Sequence, residues 1–129
     1  MNPAGASSPR QPDSYVLVVD DDPAILTTVS EILQFEGYAV RTATNGAEAL
    51  RLVEHARPWA ILLDMRMPVM DGWGFARALR TRGIDVPIVV MTAAADSRRW
   101  AEEIGAAGHV PKPFELLDLV GAVERLRAG

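Results

Sequence analysis

The sequence predicts an α/β protein, a doubly wound five-stranded parallel sheet in the order 2-1-3-4-5 with five helices. Three observations carry this. Short apolar runs alternate five times with segments of helical period. The best-defined runs, such as YVLVV and AILL, are continuously apolar, the pattern of strands buried on both faces of a parallel sheet. Right-handed crossovers then leave few topologies, of which this order is the commonest.

The first strand is expected at residues 15–19. Pro23 suits the first position of a helix and Asp22 its N-cap. Ile25, Val29, Ile32 and Leu33 supply one apolar face, and Gly37 ends the helix. A second strand follows at residues 39–42. Asn45 caps a helix over 46–57, with Ala49, Leu50 and Val53 inward and Pro58 beyond its end. The third strand spans 59–63 and meets Asp64. MRMPVMDG reads as a loop, with Asp71 as turn and cap, and a helix over 73–82 ends in RTRG, cations set against the dipole. Strand four is 86–92. A polar helix over 97–106 leads to a short strand around His109 and Val110, beside Pro111, which only an edge or a strand end tolerates. The last helix, 115–127, places Leu116, Leu119, Val120, Val123 and Leu126 on one side.

At 129 residues, one domain with a substantial core is expected at residues 15–127, behind a disordered N-terminal tail at 1–14 rich in Pro, Ser, Gly and Ala. That opening lacks the basic start and apolar core of a secretory signal, and no apolar run approaches the roughly 18 residues of a membrane span. A net charge of −4 with scattered arginines argues against direct nucleic-acid binding. The absence of cysteine excludes disulfides and zinc–thiolate sites and fits a cytoplasmic location.

In open α/β sheets the ligand site lies outside the carboxyl ends of the strands. Asp20 and Asp21 stand there after strand one, Asp64 after strand three, Thr92 at the end of strand four, and Lys112 after strand five. Crowding acids is costly, since two carboxylates about 4 Å apart repel by roughly 4 kcal/mol at an effective dielectric near 20. Hard oxygen ligands without histidine or cysteine suit Mg²⁺, which would offset that repulsion. A carboxylate nucleophile, an ammonium and a hydroxyl beside such a metal form a phosphoryl-transfer site.

VLVVDDDP, ILLDMRMPVMDG, IVVMTAA and GHVPKPF, in this order and spacing, resemble the receiver domain of two-component response regulators, the chemotaxis-switch-like family with a flavodoxin-like fold, from about Tyr15 to Leu126. The resemblance implies that Asp64 accepts a phosphoryl group from a phosphohistidine of a sensor histidine kinase or phosphotransfer protein. Asp21 would ligate Mg²⁺ directly, Asp20 mostly through water, and the backbone carbonyl of Arg66 would add a ligand to these and Asp64. Thr92 and Lys112 would contact phosphoryl oxygens, small Ala93 would leave the phosphate accessible, and the Lys112–Pro113 bond would be cis. Thr92 and His109 would form the switch, remodelling the face of the fourth helix, fifth strand and fifth helix that meets a downstream effector. A homodimer formed on phosphorylation is also within the family's range. Two departures stand out. Asp22 replaces a frequent Glu, and His109 replaces a usual Tyr or Phe, which makes pH sensitivity a hypothesis. No effector segment follows Gly129, so the resemblance leaves open a stand-alone receiver or a fragment of a longer regulator.

Other residues have plainer readings. His55 complements a helix dipole. Trp59, Trp73 and Trp100 read as packing or partly exposed surface, with Trp100 also a candidate for a partner face. Met65, Met67 and Met70 seal the pocket. Two other functions compete. One is a receiver-like interaction module that is never phosphorylated, for which loss of Asp64 or Lys112 would have been the mark. The other is a haloacid-dehalogenase-type phosphatase, whose DxD is mimicked by Asp20 and Asp22 but whose nucleophile would leave Asp64 without a role.

Overall fold

The computed structural model describes residues 14–128, so the expected tail, apart from Ser14, lies outside the described residues. Five strands, β1 (Val16–Val19), β2 (Val40–Ala43), β3 (Ala60–Asp64), β4 (Ile88–Ala93) and β5 (Gly108–Lys112), form one parallel sheet in the order β2-β1-β3-β4-β5. Five helices alternate with them: α1 (Pro23–Phe35), α2 (Gly46–His55), α3 (Gly72–Thr81), α4 (Ala94–Ile104) and α5 (Leu116–Ala128). The expected topology is the observed one.

The continuous apolar runs are explained by the two cores. Successive strand residues point to opposite faces. Leu17, Val19, Ile61, Leu63 and Val90 therefore pack with Ala49, Val53, Phe75, Leu79 and Ile104 of α2, α3 and α4. Val16, Val18, Leu62, Val89 and Met91 pack with Leu26, Val29, Leu33, Leu119 and Val123 of α1 and α5. Asp22 caps α1 by accepting from Ala24 N–H at 2.9 Å, Asn45 caps α2, and Asp71 caps α3 through Gly74 N–H at 2.9 Å.

Helix faces and ends differ in places from the sequence reading. In α1 the buried residues are Leu26, Val29 and Leu33, while Ile25 and Ile32 are only partly buried. In α5, Leu119, Val120 and Val123 are buried, whereas Leu116 is 51% exposed and Leu117 beside it 79% exposed. The largest difference is α4, which starts at Ala94 instead of Ser97. β4 runs into it with no intervening loop, and small helix-favouring alanines allow this without a side-chain cap. Ser97, a good cap by type, is buried instead against β5. β5 is longer than expected and includes Pro111, which its position at the edge of the sheet permits.

The β3–α3 loop is pinned at both ends. Gly72 donates to the Met65 carbonyl at 2.9 Å, and a Cβ on Gly72 would stand 2.8 Å from Met65 Cα. Gly46, opening α2, donates to the Met70 carbonyl at 2.8 Å and likewise has no room for a side chain. Between these anchors Met70 N–H bonds to Pro68 O at 2.8 Å around a single residue, Val69, whose φ is +71°. That is a tight γ-turn centred on a β-branched residue in the left-handed region, a strain of about 1–3 kcal/mol. Val69 is 84% exposed, so packing recovers none of it. Val69→Gly is expected to stabilise the domain by about 1 kcal/mol after the extra backbone entropy of glycine. A urea titration checks this; equal or lower stability would mean that the turn is not strained.

Candidate functional site

The register sets the site. Val19 lies opposite Leu63 and Asp64 opposite Met91, so Asp20, Asp64 and Thr92 leave the sheet at nearly the same level. Ala93 lies opposite Lys112 at the same edge. The strand ends thus bring together the residues expected there. Asp20, Asp64 and Thr92 are buried, while Asp21 and Ala93 are exposed.

Each carboxylate has a different environment. Asp20 is held by both oxygens: Oδ1 accepts from Asp22 N–H at 2.9 Å and Oδ2 from the Lys112 ammonium at 2.6 Å. A buried carboxylate stripped of its cation is destabilising by about 3–5 kcal/mol, which makes this pair a structural contact as well as an electrostatic one. Asp21 accepts no hydrogen bond from the described residues and is open to a ligand. Asp22 points away as the cap of α1, which removes the DxD likeness from the site. Asp64 Oδ1 accepts from Met65 N–H at 2.9 Å and stands 3.8 Å from Lys112 Nζ, while Oδ2 has no hydrogen bond among the described residues.

Oxygens of Asp20, Asp21 and Asp64 lie within 4.8 Å of one another. Two of these residues are buried and one is exposed, and no histidine or cysteine joins the cluster among the described residues. This donor set fits a hard divalent cation that keeps part of its water shell. The Lys112–Pro113 bond is cis, as expected.

Around this rim the structure adds contacts that the sequence did not signal. The Arg66 guanidinium carbon sits 4.9 Å from the centre of the Trp100 ring, a cation–π contact of about 0.5–1 kcal/mol at an exposed site. Trp100 is buried at 6% exposure, which agrees with its reading as a packing residue and not with a place on a partner face, and meets Trp73 edge-on at 4.9 Å. The Trp73 indole donates to Glu103 at 2.9 Å. Ser97 Oγ lies 3.0 Å from His109 Nδ1, tying α4 to β5 beneath an exposed ring. A hydroxyl both donates and accepts, so either imidazole tautomer keeps this bond. These pairs come from separate elements, and no local pattern announces them. Met65 is fully buried in the core, with Met67 and Met70 partly buried against it.

The Asp64 carboxyl is pushed up to about 6, chiefly by burial and then by the Asp20 charge; Lys112 and the Met65 N–H oppose this, and Asp21 adds a smaller rise. In the absence of metal the native carboxyl therefore keeps its proton to about pH 6, whereas the unfolded one releases it near 3.8. Between these values the native state binds more protons, so this group's contribution to stability falls as pH rises, by on the order of 2–3 kcal/mol, and is constant above. Asp64→Asn should be more stable than the parent by about 2 kcal/mol at pH 7.5 in EDTA, with the gap nearly closed at pH 4. Denaturant melts at the two pH values check this; a gap independent of pH would contradict the charged-carboxylate origin.

A family model described as the response regulator receiver domain matches residues 16–124. The transcriptional regulatory protein PrrA of Mycobacterium leprae is 45% identical over 124 residues, which are 95% of this chain and 51% of that protein. The response regulator MprA of Mycobacterium sp. strain KMS is 42% identical over 113 residues, 86% of this chain and 49% of that protein. The chain thus spans about half the length of these curated relatives. Among solved structures, the chemotaxis response regulator CheY4 of Vibrio cholerae superposes with a TM-score of 0.79 at 36% identity, covering 88% of this chain and 98% of that one. The receiver domain of the Francisella response regulator 1452 gives 0.81 at 28% identity, covering 91% and 100%. Matched along most of its length by model, by relatives and by fold, the chain belongs to the receiver domain family of two-component response regulators.

Proposed function

We propose that Asp64 is a phosphoacceptor that takes its phosphoryl group from a phosphohistidine of a sensor histidine kinase or phosphotransfer protein. The observation that carries this is the Asp64 carboxyl itself. One oxygen is fixed by Met65 N–H and the other is free, at the centre of a rim that also presents Asp20, Asp21, Thr92 and Lys112. A carboxyl titrating near 6 is mostly ionised at neutral pH and so remains nucleophilic.

In this reading Asp64 Oδ2 attacks phosphorus as the donor P–N bond breaks. The electron pair returns to the imidazole nitrogen, and an acyl phosphate forms on Asp64. Lys112, already 3.8 Å from Asp64, neutralises charge gathering on the phosphoryl oxygens, and the Thr92 hydroxyl donates to one of them. Exposed Ala93 leaves room at the same edge. Asp20, Asp21, Asp64 and the Arg66 carbonyl would hold Mg²⁺, which supplies positive charge to the carboxylates and the phosphoryl oxygens. Water later hydrolyses the acyl phosphate, so the protein is a switch that promotes its own phosphorylation and dephosphorylation, not a conventional turnover enzyme.

The output surface in this reading is the face of α4, β5 and α5, where Thr92 and His109 form the switch and Ser97 holds the His109 ring. A downstream effector protein binds there, or a second copy of the phosphorylated chain. The receiver occupies residues 15–127, works in the cytoplasm, and binds neither nucleic acid nor membrane directly. Among the described residues no helix is long and apolar enough to cross a membrane.

Incubation with Mg²⁺ and acetyl phosphate should give an acid-stable, base-labile mass gain of one phosphoryl group on Asp64. The gain should be absent in Asp64→Asn and in EDTA. Mg²⁺ alone should raise the melting temperature of the parent, and by much less in Asp21→Asn. A parent protein that gains no phosphoryl group under these conditions is not a phosphoacceptor.

A further inference from the structure

Arg66 is a cation at this rim that the fold leaves unspent. It is exposed, two residues beyond Asp64, with its guanidinium stacked on Trp100. Acids on the neighbouring surface are engaged elsewhere: Asp96 pairs with Arg99 at 2.7 Å, Glu102 with Arg98 at 3.6 Å, and Glu103 accepts from Trp73 at 2.9 Å. Arg66 forms no hydrogen bond or ion pair among the described residues. A guanidinium resting on a ring face keeps its edge free, and the edge carries all five N–H donors.

The charge of the site gives those donors a purpose. Three carboxylates face one ammonium, and that ammonium is drawn to Asp20 at 2.6 Å. A divalent cation would only bring this set to neutrality, and a phosphoryl donor then adds about two negative charges. A further cation is needed to attract it. Arg66 emerges from the same strand end as Asp64, within about 7 Å of backbone. Its hold on Trp100 is the weak kind that charge-assisted hydrogen bonds to phosphate displace.

We propose that the Arg66 side chain binds the phosphoryl dianion of the incoming donor, leaving the Trp100 ring to form a two-pronged contact with its oxygens. This rests on Asp64 being the phosphoacceptor. Trp100 is the resting platform: buried and braced by Trp73, it holds the guanidinium over its ring instead of free in solvent.

Initial rates of Asp64 phosphorylation, measured against donor concentration at fixed Mg²⁺, test the proposal. The donors are acetyl phosphate and monophosphoimidazole, which share only the phosphoryl group. Arg66→Ala should raise KM about tenfold with both donors and leave kcat within about twofold, the size expected for one charge-assisted contact. Arg66→Lys should recover part of the loss, having the charge without the fork. Beryllofluoride should change tryptophan emission in the parent, and the change should shrink in Arg66→Ala. An unchanged KM, a rise confined to one donor, or a lowered kcat at constant KM each overturns the proposal while leaving Asp64 as acceptor. A parent that accepts no phosphoryl group from either donor removes both readings.

Discussion

Lys112 and Asp20 meet at 2.6 Å across the carboxyl end of the sheet, and the arrangement of the rim follows from that contact. Asp20 is buried at the end of the interior strand β1, where an isolated carboxylate is untenable. β5 supplies the ammonium that makes it tenable. The same ammonium reaches toward Asp64 but stays 3.8 Å away, so Asp64 is only partly compensated. Its carboxyl is consequently the one pushed upward by burial and by the neighbouring acids. A single cation shared unequally leaves Asp20 fully paired and Asp64 only partly paired, while exposed Asp21 accepts no hydrogen bond among the described residues.

The Asp64 carboxylate is held in place by backbone. Met65 N–H fixes one oxygen of Asp64, and Gly72 and Gly46 fix the loop that carries Met65 and Met70. Both glycines are needed because another chain segment passes where a Cβ would stand. The loop accepts strain at Val69 to close between those anchors. Local stability is given up where the site is built, and the two apolar cores beneath, on opposite faces of the sheet, supply the compensation.

Helix α4 joins the rim to the rest of the surface. It begins directly after Ala93, uncapped, and from its buried face presents Ser97 to His109 and Trp100 to Trp73 and Arg66. Any shift of β4 at Thr92 is therefore felt by the start of α4, with no loop to absorb it. The Ser97–His109 bond persists in either imidazole tautomer, so a pH response at this position would have to arise from the charge of the ring and not from loss of the bond.

Much of this was legible in sequence because its causes are local. Unbroken apolar runs require burial on both faces, Asp22 before Pro23 marks a helix start, and acids or a hydroxyl at the ends of β1, β3 and β4 fall on one edge once the strands are parallel. Four motifs in register identified the family for the same reason. What sequence could not determine depended on which surfaces meet. Ser97 has the chemistry of a cap, but β5 claims its hydroxyl; Leu116 keeps helical period with a buried face yet is half exposed. Arg66 and Trp100 are thirty-four positions apart and become neighbours only when α4 packs beside the β3–α3 loop. Sequence by itself determined the sheet, its order and the residues at its carboxyl edge, since periodicity and strand ends are properties of short segments. Tertiary structure alone decided how those charges divide one ammonium and that Arg66 rests on Trp100 with no ion pair among the described residues, because burial and partner choice exist only between segments.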